Sequence, residues 1–593
     1  MLINFLAVTL VFSLGWLAVQ LLALLWHKKW RWTLWSSVVA FIALTIFLYG
    51  AMPSKNLSTL LQVNLAGAVI AAVLNALVYG GVRASDFFTE TITGRHGKRE
   101  VNLAKPAYFK QMLALIGGLI LALIILAGAQ FVTRLTSINN VYDSIPVKTA
   151  KSATPLTSTK DMPIALAPET AKRKMQQKFS VIPNSNMYHL DGITAQVVNG
   201  KYVYVATVEF NGFFRWLKNR EVPGYFIISA TDVNAQPQFI QTPIRYAPSA
   251  YLNDDAARRI YAAFPTYTGT GAINLEISDN GTPYYVQTLY REYGVSGRMR
   301  FDQFKTAVLN AQTGVVKLYD ADKAPKFVDA PITASAANAM NEFYGRYGRG
   351  WWNQTSFGAK RDVKVPTENG IYAQGKITPL MDEKGNLMYF TDFTSGNSDQ
   401  DSALGYSLIN AKTGAITYYR DNGAGLMDSD GAISIADKIY PEKKWEAKMP
   451  ILYNIDGTPT WVISLLDSKG IFKKYVYINA IDNDVVIDGN RSQDTLDDYR
   501  ARLAQNEADS NSDAGKTQML SGKVTRVVLT SEDNDTIVNF MLAGHAQVFK
   551  IQADQAPTAI FMQKDDNVTL QATIVDKATT VNVETLTIKT LPK

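Results

Sequence analysis

Four apolar stretches without a charged side chain open the sequence, at residues 2–26, 33–52, 57–82 and 111–133. A helix needs about 20 residues to cross a hydrocarbon core, so each stretch is long enough to span a bilayer. The first is no signal peptide: it lacks a basic leading segment, is too long, and is followed by three more spans. The expected architecture is therefore a four-helix transmembrane region over 1–133, with everything after it outside the lipid.

Charge is arranged around these spans. Residues 1–133 hold ten bases and three acids, a balance of +7 that equals the net charge of the whole chain. The remaining residues then carry no net charge, so a basic nucleic-acid surface is not expected. Lys28, Lys29 and Arg31 follow the first stretch, and Arg83, Arg95, Lys98, Arg99, Lys105 and Lys110 follow the third, whereas the loop after the second has only Lys55. Basic loops stay in the cytoplasm. The expectation is a bacterial plasma-membrane protein whose N-terminus and C-terminal region lie outside the cytoplasm. With no ionisable residue in a span, a proton or ion pathway is not expected. Asn4, Gln20, Gln62, Asn64 and Asn75 read as helix–helix hydrogen-bonding groups, with small faces at Gly67, Ala71, Gly117, Gly118 and Gly128.

Residues 134–165, rich in Ser, Thr, Pro and Lys, read as a tether. Beyond them one pattern recurs four times, in units at 166–247, 248–330, 331–428 and 429–490. A helix is expected first, at 168–179, 253–264, 333–344 and 434–440, the second capped by Asn253. An alternating strand then follows a Gly turn, as in VVNGKYVYVATVEF from Val197 and NIDGTPTWVISLLD from Asn454, and a second hairpin comes after it. Two of these hairpins carry Asn-Ala-x-Thr-Gly, at 310–314 and 410–414, and the last keeps Asn479-Ala480. This helix-plus-antiparallel-sheet unit with its Asn-Ala-x-Thr-Gly turn resembles the PepSY domain family. The resemblance implies α+β modules outside the cytoplasmic membrane that restrain peptidases or make protein contacts; it assigns no residue a role. A polar linker, 491–516, with a helix at 494–506, precedes five expected strands over 517–593, read as a small OB-like β-barrel.

Chemistry is sparse. The chain has no cysteine and four histidines, His27, His96, His189 and His545. Disulfides, thiolate sites and the His-x-x-x-His zinc pair are excluded, and a Ser-His-Asp triad would need His189 or His545, in different units. Gly515-Lys516-Thr517 lacks the glycine and strand of a phosphate loop, Asp428-Ser429-Asp430-Gly431 reads as a turn rather than a calcium loop, and Asp482, Asp484 and Asp488 give no stronger metal signal. Paired carboxylates for glycoside hydrolysis are not recognisable among 52 acids. The distinctive constellation is Tyr344, Arg346, Tyr347, Arg349, Trp351 and Trp352 in a glycine-broken loop, residue types that dominate binding surfaces. The expectation is a non-catalytic scaffold or protein-binding protein with no cofactor and no metal. Its partners would be the bilayer and a protein or a second copy. An accessory subunit of an envelope enzyme or transporter, and a cell-wall or peptide hydrolase, are the alternatives.

Overall fold

A computed structural model describes residues 2–27, 30–79, 91–92, 99–100, 107–150, 166–271, 273–355, 363–367, 370–382, 384–395, 402–420, 425–510, 517–532, 535–574 and 580–589. The apolar stretches form α1 (Leu2–Phe12), α2 (Leu14–His27), α3 (Trp30–Ala51), α4 (Leu57–Tyr79) and α5 (Ala107–Thr136). Three helices are long and apolar enough to cross a membrane, or four spans if α1 and α2 count as one. That pair corrects the expectation of an unbroken first helix, because it bends by 61°. The Ser13 hydroxyl donates to the Leu10 carbonyl (2.9 Å), and the Gly15 amide donates to Asn64 Oδ1 of α4 (2.7 Å). A β-carbon on Gly15 would lie 2.0 Å from the Asn64 carbonyl oxygen, so only glycine lets the two backbones meet. Ser and Gly at a helix break are a common cause of sharp kinks. Asn64 Nδ2 also donates to Val11 O (3.1 Å), Trp32 Nε1 to Asn75 Oδ1 (3.2 Å) and Gln62 Nε2 to Gln130 Oε1 (3.0 Å). Lys28, Lys29, Arg83, Arg95, Lys98 and Lys105, on which the expected orientation leans, lie outside the described residues.

The expected tether contains regular structure, beginning with α6 (Ile138–Asp143). Val147–Ala150 forms a strand that pairs in parallel with Ile416–Arg420 at the edge of the third sheet. Residues 151–165 lie outside the described set. Four sheets follow. The first comprises Tyr188–Val198, Lys201–Phe210, Val222–Ser229 and Gln238–Ile244 in antiparallel sequence. The fourth repeats this meander with Glu446–Ile455, Thr458–Leu466, Phe472–Asn479 and Val486–Gly489. The second centres on Pro283–Tyr290 and Lys305–Asn310, the third on Leu387–Ser395 and Ala403–Asn410.

The Asn-Ala pairs have a local explanation. Asn310 Oδ1 accepts from the amides of Gln312 (3.0 Å) and Thr313 (2.8 Å), and Asn410 Oδ1 from those of Lys412 (2.9 Å) and Thr413 (3.0 Å). Gly314 and Gly414 close the turns at φ of +72° each, where a side chain is disfavoured. Asn479 Oδ1 does the same for Ile481 (2.9 Å) and Asp482 (3.2 Å). The alanine after each of these asparagines, and Ala230 after Ser229 in the first unit, is buried and its carbonyl receives the segment leading into the unit's helix. Leu166 N donates to Ala230 O, Tyr246 N to Ala311 O, Ile332 N to Ala411 O and Met427 N to Ala480 O.

Those helices are α7 (Pro168–Gln177), α9 (Ala256–Ala263), α10 (Ala334–Tyr347) and α12 (Ser429–Ala436); α8 (Phe213–Asn219) and α11 (Gly350–Gln354) are additional. Two expectations are corrected. Asp255, not Asn253, caps α9, accepting from the Arg258 amide at 2.8 Å. Asp428 caps α12 through the Gly431 amide at 2.9 Å, so the helix expected at 434–440 begins earlier and Asp428–Gly431 is a helix start rather than an isolated turn. One continuous buried core runs from Val141 to Leu503 across all four sheets. The C-terminal strands Thr517–Glu532, Asp535–Leu542, Val548–Gln552, Asn567–Thr573 and Thr580–Ile588 close a barrel around a separate core.

The apolar helices and the second unit touch directly. Arg258 Nε donates to Tyr49 O (3.0 Å), Tyr261 Oη to Pro53 O (3.0 Å), Lys55 Nζ to Phe264 O (2.6 Å) and Asn4 Nδ2 to Ala262 O (3.0 Å). Helix α9 therefore sits on the end of the bundle formed by the start of α1 and the turn between α3 and α4.

Candidate functional site

The helix α13 (Ser492–Ser510) lies between the fourth sheet and the barrel. Leu496, Tyr499 and Leu503 make its buried stripe, which leaves the half-buried Asp494 and Asp498, four residues apart, on another face. Both line a cleft of about 1010 Å³, with Asp488 and Lys474 from the fourth sheet and Glu584, Asn582, Lys550 and Gln552 from the barrel. Carboxylates thus come from both walls. Asp488 Oδ2 is held by Lys474 Nζ (2.9 Å) and the Tyr440 hydroxyl (2.8 Å), and Asp498 Oδ1 accepts from Asn582 Nδ2 (2.9 Å). Tyr440 packs its ring 5.0 Å from Trp445. Burial is the main influence on its phenol and raises its pKa, so it acts as a neutral donor. Such a cleft offers carboxyl groups for proton transfer, amides for hydroxyl recognition and one aromatic edge.

The constellation singled out in the sequence does not converge. In place of the expected glycine-broken loop, the end of α10 and α11 carry these residues. Tyr344 is buried, stacked on Tyr142 at 5.8 Å, and burial pushes its hydroxyl up to about 12. Tyr344 and Arg349 line a second pocket of about 400 Å³ with Lys364, Tyr418 and Arg420; Lys364 Nζ lies 3.9 Å from the Tyr418 ring centre. Arg346 is paired with Glu342 at 2.8 Å, and Tyr347 packs on Phe343 at 4.6 Å. Trp351 and Trp352 meet edge to face at 5.2 Å, with Trp352 58% exposed.

Other buried carboxylates serve the joints between units. Glu276 accepts from the amides of Asp329 and Ala330, both at 3.2 Å, while Asp329 Oδ2 accepts from the Val197 amide at 2.6 Å. Burial first, then the neighbouring Asp329, pushes Glu276 up to about 8, and burial pushes Asp329 up to about 6, with Lys412 opposing both. Asp392 is bonded to Tyr372, and its two oxygens accept from the Ser429 hydroxyl (2.8 Å) and amide (2.9 Å). His189 is exposed on the first sheet, and His545 packs against Phe549 in the barrel. Among the described residues no group of three His, Asp or Glu is placed to hold a metal ion. Gly515 and Lys516 lie outside the described residues. The cleft acids are not legible in the sequence: the polarity of 491–516 reads as a linker, and nothing local shows that Glu584 comes to face α13.

No family model matches the sequence, and no curated protein matches it. Eleven chains of solved structures do. One is described as a glycoside hydrolase, with 10% identity over 69% of this chain and 92% of that one and a TM-score of 0.19. Another is the GH43_1 enzyme from Xanthomonas citri complexed with xylotriose, at 9% identity, 70% and 98% coverage and a TM-score of 0.18. A third is xylan beta-1,4-xylosidase from Bacillus Halodurans C-125, at 9% identity, 70% and 59% coverage and a TM-score of 0.16. The expectation of a non-catalytic scaffold or binding protein is corrected to this extent: these three solved structures are described as a glycoside hydrolase, a GH43_1 enzyme and a xylosidase, not as scaffold or binding proteins. At TM-scores of 0.16–0.19 they establish neither a shared fold nor a shared reaction.

Proposed function

We propose that the chain is a membrane-anchored hydrolase of the bacterial cell envelope, cleaving glycosidic bonds in a hydroxyl-rich polymer laid between the fourth sheet and the barrel. The observation that carries this reading is the cleft in which Asp494 and Asp498 of α13 share a volume of about 1010 Å³ with Glu584 of the barrel. Glycoside hydrolysis uses two carboxyl groups flanking the bond, one protonating the leaving oxygen and one activating water or attacking the sugar. Asp498, oriented by Asn582, is assigned the second role and Glu584 the first. Asn490 and Gln552 line the cleft as amides for hydroxyl binding, with the edge of Tyr440 beside them.

The four units are proposed to be PepSY-like, supported by the Asn-Ala turn and its recurring alanine-carbonyl clamp. An array outside the cytoplasm is supported by its docking on the end that carries the base-poor turn at 52–56, opposite the basic loops. The test is release of reducing ends from soluble polysaccharides and cell-wall preparations by the full chain in detergent. Glu584→Gln and Asp498→Asn should each lower turnover by about a hundredfold, as loss of a general acid or base does. No turnover, or wild-type rates in both variants, rejects the assignment.

A further inference from the structure

The connection between the second and third strands of the first sheet is α8, with the sequence FFRWLKN. Trp216 is fully buried and fixes the helix to the sheet, while Phe213, Phe214 and Leu217 are 39%, 82% and 46% exposed. Beside them stand Tyr251 and Leu252, 38% and 52% exposed. The rings are continuous: Phe213 lies 5.6 Å from Phe214 and 5.2 Å from Tyr251. Five large apolar side chains thus form one uncovered patch, which water disfavours. Arg215 and Lys218 flank it on α8, and that helix carries no acid.

The patch is continuous with the end of the membrane helices. Arg258 donates from Nη1 to Leu252 O (2.9 Å) and from Nε to Tyr49 O (3.0 Å), and its guanidinium lies 4.3 Å from the Tyr49 ring centre. Tyr49 is two residues from the end of α3 at Ala51. One side chain therefore spans from the patch to the mouth of a span. Leu252 holds a left-handed φ of +54°, a strained geometry for a branched residue, with its side chain still half exposed.

We propose that Phe213, Phe214, Leu217, Tyr251 and Leu252 insert into the headgroup region of the bilayer that holds α1–α5, with Arg215 and Lys218 against anionic headgroups. Aromatic and aliphatic side chains rimmed by Lys and Arg are the composition that lies in a membrane interface. The proposal rests on the reading that the apolar helices span a membrane. It makes the first sheet a second foothold of the array on the lipid.

The chain has no cysteine, so single thiols can be labelled cleanly. Phe214→Cys, Leu252→Cys, Lys201→Cys and Leu121→Cys, each carrying a fluorophore, would be placed in nanodiscs of phosphatidylcholine and phosphatidylglycerol with and without brominated acyl chains. Lys201 starts the strand whose other end, Phe210, leads to α8, about 30 Å away at strand rise; Leu121 lies in α5. Quenching at 214, 252 and 121 but not at 201 is expected. Quenching at 121 without quenching at 214 and 252 overturns the proposal while leaving the span reading intact. No quenching at 121 overturns both. Spin labels at 214 that broaden one another, with no quenching by lipid, would mean that a second copy covers the patch and would also overturn it.

Discussion

Glu276 and Asp329 show how single side chains set the behaviour of a joint. Both are acids whose pKa in the folded chain lies above the ordinary value, because burial penalises the charge. The folded chain then holds more protons than the unfolded one between about pH 4.5 and about 8, so stability falls as pH rises through that window. Glu276→Gln should flatten that fall; thermal midpoints from pH 4.5 to 8 would measure it, and an unchanged slope would contradict it. The turn asparagines act locally instead. Asn410→Ala removes the acceptor for two amides and should cost about 1 kcal/mol, seen as a lower denaturation midpoint. The turn was legible in the sequence because both side-chain partners of Asn410, the Lys412 and Thr413 amides, lie within three residues of it. The cap of α9 was not: Asn253, Asp254 and Asp255 are all competent, and the choice is made by Arg245, which takes Asp254 at 3.3 Å, leaving Asp255 to the helix.

Elements with a one-residue explanation behave differently from those explained at a distance. The length of the apolar stretches is a property of composition, so three to four helices could be read directly. The 61° bend could not, because it depends on Asn64 meeting Gly15 across two helices. Gly15→Leu should push α2 off α4, leaving no room for the Gly15–Asn64 hydrogen bond; faster proteolysis and a lower midpoint in detergent would report it, and wild-type behaviour would argue against the contact. Asp428→Ala should cost about 0.5–2 kcal/mol through loss of the α12 cap, whereas a calcium site there would make the loss depend on added calcium. The five-stranded barrel was foreseeable from the alternation within 517–593. The cleft acids were not, since α13 shows its Asp494–Asp498 face only once Leu496, Tyr499 and Leu503 are known to be buried.

For the molecule as a whole, the distribution of its cores matters most. The four sheets share one buried core from Val141 to Leu503, and the barrel has its own. Calorimetry of the full chain should show the array as one transition and the barrel as another. Trp461→Ala, in a fully buried site of the fourth sheet, should lower the first by about 3–5 kcal/mol, while Phe540→Ala should lower the second; both variants shifting one shared transition would refute the division. The chain also leaves the helical bundle at α6 and returns to it through Arg258, Tyr261 and Lys55. Two separated attachments resist torque as a single tether cannot. Under the proposed function, with the apolar helices in lipid and a polymer in the cleft, a pull on that polymer would tilt the helices instead of letting the four-sheet array swivel, and the anchor would act as a lever arm that holds the sheet wall of the cleft at a set angle to the membrane plane.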